Sequence, residues 1–155
     1  MSAWAWLWLC ARLPKSLEDA VAHFGGRLTC NGWQLGPLIP TDINPRSRDH
    51  QEQFKTAVAF LALCGDPTAP ASVSSYSAKH GAENLGRLLY AEGDHTHARY
   101  VFNGIMIAAA WAMRCLPEPA GPAGTGGRSA YLRIVEDTYL TLRDDHDDRL
   151  AALGV

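Results

Sequence analysis

Tyr76, Lys79, His80 and Glu83 stand at i, i+3, i+4 and i+7, the spacing that brings four side chains onto one face of a helix. On such a face His80 can exchange protons near neutral pH, Glu83 can orient its ring, and Lys79 can stabilise a developing negative charge. The same residues also make an ordinary helix surface. Lys79 and Glu83 would then form an i,i+4 pair of little energetic weight, with Tyr76 and His80 covering the edge of the core. Asn103 interrupts an otherwise apolar run. A buried amide needs partners, because an unpaired one costs about 1–3 kcal/mol, and Tyr76, His80 or a ligand are the partners expected. The candidates for catalysis are therefore Tyr76, Lys79, His80, Glu83 and Asn103, and their spacing alone is diagnostic of no enzyme class.

The remaining chemistry-bearing stretches are weaker. His95 and His97 follow Asp94 with one residue between them. That spacing suits a strand or loop rather than a helical ligand pair, and nothing is spaced to complete a metal site. Asp144, Asp145, Asp147 and Asp148 surround His146 without the glycine turn and closing glutamate of a calcium loop, which leaves a solvated acidic helix face. Gly121 to Gly127 lack the preceding strand and following Gly-Lys-Ser/Thr of a phosphate cradle, so this stretch reads as a linker. Arg128 follows it and is kept as a binding candidate. The four cysteines, Cys10, Cys30, Cys64 and Cys115, are widely separated in apolar surroundings and form no C-x-x-C pair. Buried, reduced thiols are the expected state. No metal and no cofactor is expected.

The elements that must position these residues follow from periodicity. Trp4, Trp6 and Trp8 alternate with Leu7 and Leu9, as a strand buried on both faces or a turn of helix. So many aromatics in a short span either pack on the core or form a patch for a partner, and the three tryptophans are the other binding candidates. Ser16 is the predicted N-cap of a helix carrying Leu17, Ala20, Val21 and Phe24, closed by Gly25-Gly26. Residues 27–45 are rich in chain breakers and hold either a short strand pair around Leu28, Trp33 and Leu35 or an irregular connection. A second helix is predicted over Asp49–Leu63. A Pro/Ala loop from Gly65 to Ser72 follows, then a third helix capped by Ser74 or Ser75. Gly81 and Gly86 in that helix predict a close backbone approach. A fourth helix is predicted from an Asp94 cap to about Arg114, apolar nearly all round and therefore central. After a flexible Pro/Gly linker at 117–127, a last helix is predicted over Ser129–Leu153, with Tyr131, Leu132, Ile134, Val135, Tyr139 and Leu142 facing the core.

The expected fold is mostly α: a single compact helical domain spanning 1–155, of about five helices, with a short N-terminal β pair. With 47% hydrophobic and only 19% charged residues, the chain has the material for a core. A net charge of −2 disfavours a protein that grips nucleic acid through phosphates. No stretch approaches the roughly 20 apolar residues of a membrane span. The apolar block at Trp4–Leu9 lacks the preceding positive charge and following cleavage site of a signal peptide, so a cytoplasmic location is expected.

At Ser74-Ser75-Tyr76-x-x-Lys79-His80-x-x-Glu83 and Tyr100-x-x-Asn103-Gly104-x-x-Ile107-Ala108-Ala109-Ala110 the chain resembles a group of small phage and mobile-element proteins. Ser129-Ala130-Tyr131 is similar to a later segment of that pattern, and the chain departs from it at Ala78 and Phe102. The resemblance covers roughly a quarter of the chain and implies a context rather than an activity: a small intracellular accessory protein. Such a protein would act by binding a protein partner, for example as an inhibitor of a host immune complex such as a CRISPR effector. The alternative is a small enzyme that uses the Tyr/Lys/His/Glu face on a nucleotide or other phosphorylated ligand.

Overall fold

The computed structural model describes residues 15–34, 41–117 and 128–155. These form five helices and two small antiparallel strand pairs, so the molecule is mostly α with a short N-terminal β pair. Helix α1, Leu17–Phe24, begins at a reciprocal cap: the Asp19 N–H donates to Ser16 Oγ at 3.1 Å and the Ser16 N–H donates to Asp19 Oδ2 at 2.9 Å. It ends at Gly25 in the left-handed conformation. Leu17, Ala20 and Phe24 form its buried stripe. Strands β1, Leu28–Thr29, and β2, Gly32–Trp33, pair across the turn at Cys30-Asn31.

Helix α2, Arg48–Cys64, starts at Ser47 and is buried along most of its second half. Helix α3, Ser75–Ala91, is capped by the Ser74 hydroxyl, which accepts the Ser77 N–H at 3.1 Å. Helix α4, Asn103–Ala112, is buried everywhere except Trp111. It is the central rod, packed on α1, α2, α3 and the first strand pair. Its alanines let those neighbours come close, while Ile105, Met106 and Ile107 supply about 1.5–3 kcal/mol each by burial. Helix α5, Glu136–Leu153, lies on α3 and buries only Tyr139, His146 and Leu150, a narrow seam.

Three expectations are corrected. The fourth helix starts at Asn103, not Asp94. Asp94 instead closes a turn by accepting from the Thr96 N–H at 3.1 Å and hydroxyl at 2.6 Å. The backbone of the following loop is satisfied by side chains from elsewhere: Ala98 N–H by Thr56, Val101 N–H by Glu83 and Phe102 N–H by Gln53. The Pro/Ala loop contains a strand, β3, Ala71–Ser74, which pairs with β4, Tyr131–Arg133. The last helix accordingly starts at Glu136 rather than Ser129, and strand alternation turns Leu132 inward and Tyr131 out to solvent. Val135 is exposed as well.

Among the described residues no helix is long and apolar enough to cross a membrane. The predicted linker at 117–127 lies outside the described residues apart from Pro117, as do Trp4, Trp6, Trp8 and Cys10.

Candidate functional site

Ser74 sets where α3 begins, and with it the rotation that brings Tyr76, Lys79, His80 and Glu83 to one face. The structure places these four together. Lys79 and Glu83 are only 5% and 8% exposed, and Lys79 Nζ donates to Glu83 Oε1 at 2.9 Å. That same oxygen accepts the Val101 N–H at 3.1 Å. The other, Oε2, lies 2.8 Å from His80 Nδ1. His80 itself is half exposed. Glu83 thus fixes a lysine, a histidine and the loop that leads into α4.

The buried ammonium sits between two tyrosine rings, 5.2 Å from the centroid of Tyr76 and 4.7 Å from that of Tyr100. Both rings lie within cation–π range, worth about 0.5–2 kcal/mol each according to desolvation. Tyr76 and Tyr100 are themselves 54% and 55% exposed. The contacts continue on both sides. Tyr76 meets His80 edge-on at 4.8 Å. Tyr100 meets Phe102 at 5.4 Å, and Phe102 meets His50 at 5.4 Å. Phe102 is further held by its N–H, which donates to the buried Gln53 Oε1 at 2.9 Å. The result is one continuous strip, His80–Tyr76–Lys79–Tyr100–Phe102–His50, with exposed rings over a buried ion pair.

Spacing along α3 did not single out Tyr100, Phe102, His50 or Gln53. The two rings just ahead of an Asn-Gly, Tyr100 exposed and Phe102 partly buried, are the signal that marks the first two. Asn103 does not meet this face. Its Oδ1 accepts from the Ser75 hydroxyl at 2.8 Å, and its Nδ2 donates to the Asn31 carbonyl and Ser129 Oγ, both at 3.2 Å. Ser75 in turn holds Ala130 through N–H and carbonyl. The amide therefore ties the β1–β2 turn, the start of α3 and the lead into β4 to the start of α4. Arg128 belongs to the same junction through its backbone, its carbonyl accepting the Trp33 N–H at 2.7 Å, while its side chain is exposed.

No group of three metal-ligating side chains occurs among the described residues. His97 is buried, with Nδ1 3.1 Å from Thr56 Oγ1 and Nε2 3.5 Å from Asp94 Oδ2. Thr56 has no exposure and already binds the Glu52 carbonyl and the Ala98 N–H, so this trio cannot present a nucleophile. Cys64 and Cys115 are free thiols that burial pushes up to about 12, which removes the reactive thiolate. One groove opens beside Pro70 and Asp137 and another between α2 and α3, and neither is lined by a residue of the aromatic strip.

His146 is buried on α5, and its Nδ1 meets no hydrogen-bond partner among the described residues. Burial holds its pKa below the ordinary 6.5, against the opposing pull of Asp145 and Asp147 and with the help of Arg149. Burial depresses His97 in the same way. Both rings stay neutral in the folded chain while the unfolded chain begins to take up protons near 6.5. Protons therefore favour unfolding, and stability is expected to be complete above that pH and to fall as pH drops from about 6.5 toward the folded values. Urea midpoints between pH 7.5 and 5 measure the slope. His146→Gln should make it shallower; an unchanged slope would remove His146 as its source.

No protein-family model, no curated protein and no solved structure matches the chain.

Proposed function

We propose that this is a binding protein that docks a protein partner on the strip His80–Tyr76–Lys79–Tyr100–Phe102–His50. The observation that carries the reading is the pair of half-exposed tyrosines held over a lysine that is itself buried and ion-paired. Burying an ion pair gives little net stability, so its usefulness lies in what it orders. Here it fixes two large amphipathic rings before any partner arrives, which lowers the entropic cost of association. Tyrosine is among the residues that dominate interface energies. We take a host defence complex, for example a CRISPR effector, as the partner, on the resemblance of Ser74–Glu83 and Tyr100–Ala110 to small phage and mobile-element proteins alone.

The test is co-purification of the tagged protein from its native cell, followed by affinity measurement with the captured partner. The Tyr76→Ala/Tyr100→Ala variant should bind at least tenfold more weakly, about 1.4 kcal/mol or more, with an unchanged circular dichroism spectrum. His80→Ala should bind within about threefold of the wild type. Undiminished binding by the double tyrosine variant would overturn the proposed surface. Protection of phage from a CRISPR effector in cells carrying the protein would identify the class of partner.

One observation favours a second reading. The half-exposed His80 is held through Nδ1 by a carboxylate, the arrangement of an oriented general base. An enzyme acting on a nucleotide or other phosphorylated ligand would use it, although the charge of Lys79 is already committed to Glu83. Loss of all activity in a folded His80→Ala would establish that reading at the expense of the first.

A further inference from the structure

The groove between α2 and α3 has a volume of about 330 Å³ and is lined by Ala59, Leu63, Leu85, Leu89, Asp94 and His97. Four of these are aliphatic, and the polar pair is Asp94 and His97. That size falls at the lower end of small-molecule sites, about 300–1,000 Å³.

The hydrogen-bond directions around His97 can be assigned. A hydroxyl has one hydrogen, and the shorter contact of Thr56 Oγ1, 2.8 Å to the Glu52 carbonyl, takes it. Thr56 is then an acceptor toward both the Ala98 N–H at 2.9 Å and His97 Nδ1 at 3.1 Å. His97 must therefore carry its hydrogen on Nδ1, which leaves Nε2 as an acceptor in the neutral ring. Burial and the neighbouring Lys55 favour that neutral ring, against Asp94 and Glu52. Asp94 Oδ1 is occupied by the Thr96 N–H and hydroxyl. Its other oxygen, Oδ2, faces His97 Nε2 at 3.5 Å. The neighbouring Lys55 ammonium donates to Thr96 Oγ1 at 2.6 Å. Two acceptors thus face one another beside an apolar groove, and a hydrogen-bond donor is what would join them.

We propose that this groove binds a small aliphatic primary amine, whose N–H groups engage His97 Nε2 and Asp94 Oδ2 together. The alkyl body would lie along Leu63, Leu85 and Leu89. The groove contains no residue of the aromatic strip and is separate from the proposed partner surface.

The probes are hexan-1-ol, hexylamine and, as the control without a donor, hexyl methyl ether, titrated into the full chain and followed by the leucine methyl resonances. The amine should shift Leu63, Leu85 and Leu89 and bind at least tenfold more tightly than the ether, with the alcohol, which has one donor hydrogen, between them. Leu63→Gln, at an exposed position that tolerates a polar side chain, should weaken the amine at least tenfold. Asp94→Asn gives His97 Nε2 a donor from the protein itself, so it should abolish the preference for the amine over the ether. Equal binding of alcohol, amine and ether, or no shift with any of them, would overturn the proposal and leave the gap between the two acceptors to water. The nitrogen shifts of His97 in the free protein should show the Nδ1–H tautomer at pH 7.5; an Nε2–H ring would overturn it independently.

Discussion

Gly86→Ala is expected to destabilise the fold by about 3 kcal/mol or more, at the upper end of what overpacking costs. A Cβ on Gly86 would lie 1.8 Å from the Ala98 carbonyl oxygen and 2.9 Å from its carbon. That obstacle is backbone, so no rotamer change removes it. The loop cannot step back cheaply either, because the Ala98 N–H is anchored on Thr56 Oγ1 and the neighbouring His97 is buried against the same hydroxyl. Gly104→Ala should behave alike, its Cβ falling 1.8 Å from the Thr29 carbonyl oxygen. Gly81→Ala is the informative contrast. There the Cβ meets the Phe60 ring at 2.6 Å, a side chain that can turn aside, so the loss should be smaller than at Gly86. Urea denaturation of the three variants checks the order, and a Gly86→Ala protein within 1 kcal/mol of the wild type would mean that the loop has room to move.

The same glycines show how far a sequence of this kind can be read. Two glycines inside α3 pointed to a close backbone approach at a helix crossing. At Gly86 the backbone that approaches is a loop carbonyl rather than a crossing helix, and at Gly81 the space is taken by a side-chain ring from α2. Helical periodicity placed α1, α2 and α3 well, because their caps and apolar stripes are local properties of the chain. Residues 94–102 were illegible for the opposite reason. Their backbone is satisfied by Thr56, Glu83 and Gln53, partners that no local pattern reveals. Strands β3 and β4 are short and distant in sequence, so neither carries enough alternation to announce the other. The candidate site divides along the same line. Four residues on one helix face were found together because 3.6-residue periodicity guarantees it. Tyr100 joins them only through the unforeseen loop, and Asn103 leaves them because Ser75, Asn31 and Ser129 meet it first.

Glu83→Ala should be among the most damaging single changes in the chain, because it breaks a buried pair from one side. It would strand the Lys79 ammonium without a counter-ion and leave the Val101 N–H without its acceptor. Removing one partner of a buried pair costs about 3–5 kcal/mol, whereas replacing both with apolar groups of similar size is often close to neutral. Lys79→Met/Glu83→Leu should therefore be markedly more stable than Glu83→Ala alone, short of the wild type by about 1–3 kcal/mol for the orphaned Val101 N–H. Chemical denaturation of the wild type, the single variants and the double variant measures the coupling. A Glu83→Ala loss under 1 kcal/mol would mean that water reaches Lys79. The double variant also separates stability from recognition. It keeps the fold but lacks the cation that both tyrosine rings face, so Tyr76 and Tyr100 lose their common anchor. If the ion pair serves to hold those rings for a partner, the refitted protein should remain folded and still bind more weakly than the wild type; equal affinity would reduce the pair to a feature of folding alone.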